Sequence, residues 1–186
     1  MNKLMIGSLA VLSIATVAIA GSPKSGLAQG DRVSPFHPKH VVGALADTTD
    51  CFPCTFKNRP QVQVWLNGDS DTNAFSIAND LEKSMSKYAS KEFKALMVFI
   101  VPEDKQAAWT TKLKAAAKTH SFKNVSMALI APNHQAVRQY KINTDGSIKN
   151  TVFVYKDWTV ANTMVNLKAD SDGLKSLNAA IANIAK

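Results

Sequence analysis

The spacing of apolar and polar positions changes along the chain, and each change marks an element. From residue 61 the sequence alternates: Val62, Val64 and Leu66 interleave with Gln61, Gln63 and Trp65, the period of a strand. Residues 71–89 then place Ala74, Ala78, Leu81, Met85 and Tyr88 at steps of three and four. This predicts an amphipathic helix capped by Ser70 or Asp71. Residues 96–101 (LMVFIV) are apolar without interruption, as in a parallel strand covered on both faces, and Pro102 stops them. A second helix follows with Trp109, Leu113, Ala116 and His120 on one stripe, then a strand over 126–131 closed by Pro132. A short helix over 135–140, a hairpin of 151–155 with 161–167 around Lys156-Asp157-Trp158-Thr159, and a closing helix complete the pattern. That last helix starts at Asp170 or Ser171 and turns Leu174, Leu177, Ile181 and Ile184 inward. Parallel strands joined by helices, followed by an antiparallel hairpin and a helix, predict an α/β domain with helices on both faces of a central mixed sheet.

The start of the chain has a different pattern. Met1-Asn2-Lys3 leads into an uncharged, mostly apolar run over residues 4–20 that ends Ala18-Ile19-Ala20. A basic start, an apolar centre and small residues at the −3 and −1 positions form a cleavable signal peptide. The run has 17 residues and contains Gly7, Ser8, Ser13 and Thr16. It falls short of the ~20 predominantly apolar residues of a span. We therefore expect cleavage after Ala20, with Ala28 as a second point. The mature protein would be exported, periplasmic or secreted, with no stable membrane span. Residues 21–30 read as a flexible leader and 31–186 as one domain.

The formal net charge is +8. A basic balance raises nucleic acid or anionic membrane as partners. The lysines are spread over the outer faces of the expected helices without a basic-aromatic cluster, so they read as a solvated surface, and no nucleic-acid partner is expected. Sequence leaves the oligomeric state open.

Gly30-Asp31-Arg32-Val33-Ser34-Pro35-Phe36, with Val41-Val42-Gly43 behind it, resembles the opening of the redoxins, the peroxiredoxin-related branch of the thioredoxin-like superfamily. Ala128-Leu129-Ile130-Ala131-Pro132, the run through Ala136-Val137 to Tyr140-Lys141-Ile142, and Thr151-Val152-Phe153-Val154-Tyr155 are similar to later redoxin segments. The resemblance implies a thioredoxin-like three-layer α/β/α domain. Three departures limit what else it implies. The family's attacking cysteine follows the first long parallel strand, where this chain has Asn67-Gly68-Asp69-Ser70-Asp71-Thr72. Asp69 and Asp71 there read as capping residues. The family's cis-proline position holds Lys149-Asn150. The arginines, Arg32, Arg59 and Arg138, fall near neither place. Peroxidase chemistry is therefore not expected.

Both cysteines lie in Asp50-Cys51-Phe52-Pro53-Cys54-Thr55, ahead of the first core strand. A Cys-x-Pro-Cys pair can close a small disulfide ring and exchange with protein thiols or disulfides, provided one thiolate is stabilised. Pro60 leaves room for about one helical turn after Cys54. By analogy with related motifs, Cys51 would attack and Cys54 resolve. Two alternatives stand beside thiol-disulfide exchange. One is a structural disulfide, although so short a ring removes little chain entropy. The other is a copper or zinc site built from His37, His40, Cys51 and Cys54, a donor set suited to either metal. No other cofactor is expected.

Overall fold

The computed structural model describes residues 24–186; the expected signal peptide, residues 1–20, lies outside the described residues. A six-stranded sheet forms the centre. Its strands are β1 (Lys39–Val42), β2 (Gln61–Leu66), β3 (Lys94–Ile100), β4 (Ser126–Ile130), β5 (Asn150–Lys156) and β6 (Thr159–Val165), in the order β1-β4-β3-β2-β5-β6. β2, β3 and β4 are parallel, while β1, β5 and β6 pair antiparallel with their neighbours. The helices are α1 (Phe52–Phe56), α2 (Asp71–Lys87), α3 (Gln106–His120), α4 (Gln135–Gln139) and α5 (Ser171–Ile184).

The alternation of β2 decides the layering. Val62, Val64 and Leu66 face a core with Ala74, Ile77 and Leu81 of α2, Leu113 of α3 and Leu177 and Ile181 of α5. Trp65 faces a second core with Phe36, Phe52 of α1 and Val137 and Tyr140 at α4. The apolar β3 lies between these layers and contributes to both, Met97 and Phe99 to one and Leu96 and Val98 to the other. Gln61 and Gln63, polar in sequence, are nonetheless fully buried. The Tyr155 hydroxyl makes this tolerable: it accepts from Gln63 Nε2 at 2.8 Å and donates to Gln61 Oε1 at 2.7 Å. Buried polar groups stay affordable only when so paired.

The expected caps of α2 and α5 form as Ser70 and Asp170, each side chain accepting a backbone N–H three residues on. The β5–β6 hairpin closes on Asp157 and Trp158, both at positive φ, in a two-residue turn. Sequence spacing missed β1, too short to show a period, while α1 is the single turn that Pro60 leaves room for. One expectation is corrected. Residues 24–30, read as part of a flexible leader, are packed on the sheet. Leu27 is buried, the Ser25 hydroxyl lies 2.6 Å from that of Thr151, and Gly26 donates its N–H to the Lys141 carbonyl. Gly26 has φ +94°, and a Cβ there would lie 2.7 Å from the Phe153 ring. The ordered domain therefore begins ahead of Asp31, where no apolar periodicity announces it.

Candidate functional site

Cys51 is the N-cap of α1. Its backbone is extended and its sulfur accepts the N–H of Cys54 at 3.2 Å. Pro53 sits in the first turn, where no donor is needed. Lys57, at φ 50°, ends the helix after a single turn. Cys51 and Cys54 are joined in a disulfide with Cα atoms 5.2 Å apart. The two cysteines are unequally exposed. Cys51 is 6% exposed, beneath the turn, whereas Cys54 is exposed on its outer face. The ring of Phe52 anchors the turn, with Phe56 at 4.7 Å and His40 stacked at 6.4 Å.

Both upstream histidines hold the approach to the turn. His37 is exposed and donates Nδ1–H to the Thr49 carbonyl at 2.9 Å; buried His40 donates Nε2–H to the Asp50 carbonyl at 2.9 Å. That bond fixes the His40 tautomer and leaves Nδ1 buried without a partner. Burial holds the His40 pKa below the ordinary histidine value, against the opposing pull of Asp50. In this oxidised form His37, His40, Cys51 and Cys54 are not a ligand set. Both sulfurs are spent in the disulfide, and among the described residues no group of three or more His, Cys, Asp or Glu could hold a metal ion.

The disulfide turn lies at the end of the sheet where β3 and β4 begin. Phe52 and Phe56 line a cleft there with Lys94, Ala95 and Ser126. Residues 67–72 lie at the opposite end, beyond β2, which spans about 20 Å at ~3.3 Å per residue. A polar network fills that end. Asp69 Oδ2 accepts from Asn73 Nδ2 at 2.8 Å and from Asn150 Nδ2 at 2.6 Å, and the Leu167 carbonyl accepts from the same two amides. The two amide oxygens in turn accept the N–H groups of Ala169 and Leu167. Asp71 pairs with Lys112 at 2.7 Å, on the surface. The cysteine turn does not fold back onto Asp69.

No protein-family model matches this sequence, and no curated protein does. Solved structures do match its fold. A proposed thiol:disulfide interchange protein, DsbE, from Chlorobium tepidum superposes with a TM-score of 0.62 at 13% identity, over 86% of this chain and 99% of its own. Peroxidoxin BcpB from Mycobacterium tuberculosis gives 0.61 at 14% identity, over 87% and 99%. A thiol peroxidase from Chromobacterium violaceum gives 0.58 at 12% identity, over 86% and 88%. The fold is thioredoxin-like.

The position where the resemblance expects an attacking cysteine holds the Asp69–Asn73 network, and the one where it expects a proline holds Lys149-Asn150. Sequence reading identified Asp69 and the lack of proline but not their joining through Asn73 and Asn150. Nothing in the spacing of 69, 73 and 150 marks a network, because it is made by two distant elements meeting. The cysteines were legible as a motif. Their unequal exposure was not, since it depends on which side of a one-turn helix meets the sheet.

Proposed function

We propose that this chain is an exported thiol-disulfide exchange protein that works through Cys51 and Cys54, with protein thiols or disulfides as partners. The supporting observation is a closed disulfide in which Cys54 is an exposed residue and the Cys51 sulfur is held by a backbone N–H. Export rests on the signal-peptide pattern of residues 1–20. Among the described residues no helix is long and apolar enough to cross a membrane.

Exposure favours Cys54, not Cys51, as the partner-facing sulfur, the reverse of the order drawn from related motifs. A partner thiolate attacks Cys54 Sγ. A partner–Cys54 disulfide forms as the Cys51–Cys54 bond breaks, and Cys51 leaves as a thiolate with the electron pair. The Cys54 N–H, already directed at that sulfur, stabilises the departing charge, and solvent supplies its proton. A second partner thiolate attacks the partner sulfur of the mixed disulfide and releases Cys54. Two partner thiols are oxidised to a disulfide, and the pair takes up two electrons. The reverse sequence oxidises the pair.

The test is trapping combined with a reduction potential. Cys51→Ser should accumulate mixed disulfides on Cys54, and Cys54→Ser should accumulate few. The pair's potential, measured in chelator-treated buffer, should fall between about −120 and −270 mV, the range of exchange proteins. A potential below about −300 mV with no adduct on either variant would make the bond structural and sink the proposal. Thiols that oxidise only after copper or zinc is stripped would support the metal-binding alternative at His37, His40, Cys51 and Cys54.

A further inference from the structure

Six lysines from distant parts of the sequence line two clefts at the disulfide end of the fold. One cleft of about 410 Å³ is lined by Lys57, Lys91, Lys156 and Lys186 with the rim of Phe56. A second, of about 370 Å³, lies on the other side of Phe56 and carries Lys94 and Lys123. None of these six lysines forms an ion pair among the described residues. Neither cleft is lined by an Asp or Glu side chain. Two nearby acids are already engaged: Glu92 binds Arg59 at 2.9 Å, and Glu82 accepts the backbone N–H groups of residues 123–125. Phe56 is half-buried between the clefts, with Lys94 Nζ 5.3 Å from its ring centroid. Lys57 follows Cys54 by three residues, about 5 Å along a helical turn.

We propose that this end is the docking surface for the redox partner, and that the partner presents acidic residues beside its reactive thiol or disulfide. The inference rests on the exchange reading above and adds the partner's chemistry to it. Lysines of one sign around a concave surface attract an oppositely charged partner and raise its rate of encounter. Phe56, an aromatic anchor two residues from the exposed cysteine, gives that partner an apolar contact at the centre of the charged rim. The two clefts share Phe56, two residues from Cys54, and such concave surfaces suit a protein segment better than a flat lipid surface.

The test uses three single-cysteine peptides of equal length, acidic, neutral and basic, as reductants of the oxidised protein, with uncharged dithiothreitol as a fourth. The expected result is that the acidic peptide thiol reacts about tenfold faster than the basic one at low salt, with the difference shrinking as salt rises. The variant Lys57→Glu/Lys91→Glu/Lys156→Glu should reverse that ranking while keeping its circular dichroism spectrum and urea midpoint. Equal peptide rates, with dithiothreitol still reducing the pair, would overturn the docking surface and leave the exchange reading standing. Equal peptide rates together with binding to phosphatidylglycerol vesicles would overturn it in favour of a lipid surface. If neither dithiothreitol nor any peptide reduces the folded protein, the exchange reading falls and this inference falls with it.

Discussion

Replacing Asn150 with alanine tests whether the polar network beyond β2 is structural or functional in this chain. Asn150 is 1% exposed, and its side chain makes three hydrogen bonds: to Asp69, to the Leu167 carbonyl and from the Leu167 N–H. Alanine leaves the N–H of buried Leu167 without an acceptor, at about 1–3 kcal/mol. The bond to the Asp69 carboxylate adds about 1 kcal/mol, below the usual charged-bond value because half-buried Asp69 keeps Asn73 and can recruit water. The expected loss is about 2–4 kcal/mol, a large share of the ~5–15 kcal/mol that holds a domain together. At a slope of about 2 kcal/mol/M the urea midpoint should fall by about 1–2 M. The potential of the cysteine pair should not move, because sites so far apart with no shared partners act independently. Two results would refute this reasoning. A stability loss under about 0.5 kcal/mol would mean the network contributes little. A shift in potential above ~30 mV, equivalent to about 1.4 kcal/mol, would mean the two ends of the sheet are coupled.

Three further outcomes are expected. Tyr155→Phe leaves Gln61 and Gln63 without their shared buried partner and should destabilise the fold by about 2–4 kcal/mol in urea titration, with the same exchange rate. The double variant Cys51→Ser/Cys54→Ser should lose no more than about 2 kcal/mol, the chain-entropy value for so short a ring; a larger loss would identify the bond as a staple. Because burial lowers the His40 pKa in the fold, the unfolded chain binds the extra proton first as pH falls. Stability should therefore be full above about pH 6.5 and decline below it. Urea midpoints of His40→Gln should show a shallower decline between about pH 7 and pH 5; an unchanged slope would refute the assignment to His40.

The fold was legible wherever a period could run its length. β2 through α5 follow from alternation in Gln61–Leu66, steps of three and four in α2 and α5, and the unbroken apolar β3. What was illegible is of another kind. β1 has four residues, shorter than any period can establish. Leu27 and Ser25 pack without a pattern around them. Gln61 and Gln63 read as a polar face because their partner, Tyr155, lies in a strand more than ninety residues away.

The candidate site divides in the same way. Its chemistry was written in Cys51-Phe52-Pro53-Cys54, but its position relative to the sheet was not. Placed at the start of β3 and β4, the pair gains nothing from the N-terminus of α2, whose capping needs are met by Ser70. The hydrogen bond available to Cys51 in the proposed exchange is local: the Cys54 N–H, directed at its sulfur by a turn that Pro53 begins and Lys57 ends. The same turn buries Cys51 and leaves Cys54 exposed, which is why the proposed exchange runs through Cys54. That end also gathers Lys57, Lys91, Lys94 and Lys156, while Asp69, Asn73 and Asn150 satisfy one another at the other. The network end has a cleft of its own, lined by Lys149 and Lys168, but neither cysteine, whereas the disulfide end combines lysines with an exposed cysteine. The exposed cysteine and the lysines gathered at that end, taken with the motif, are what support the exchange role proposed for Cys51 and Cys54.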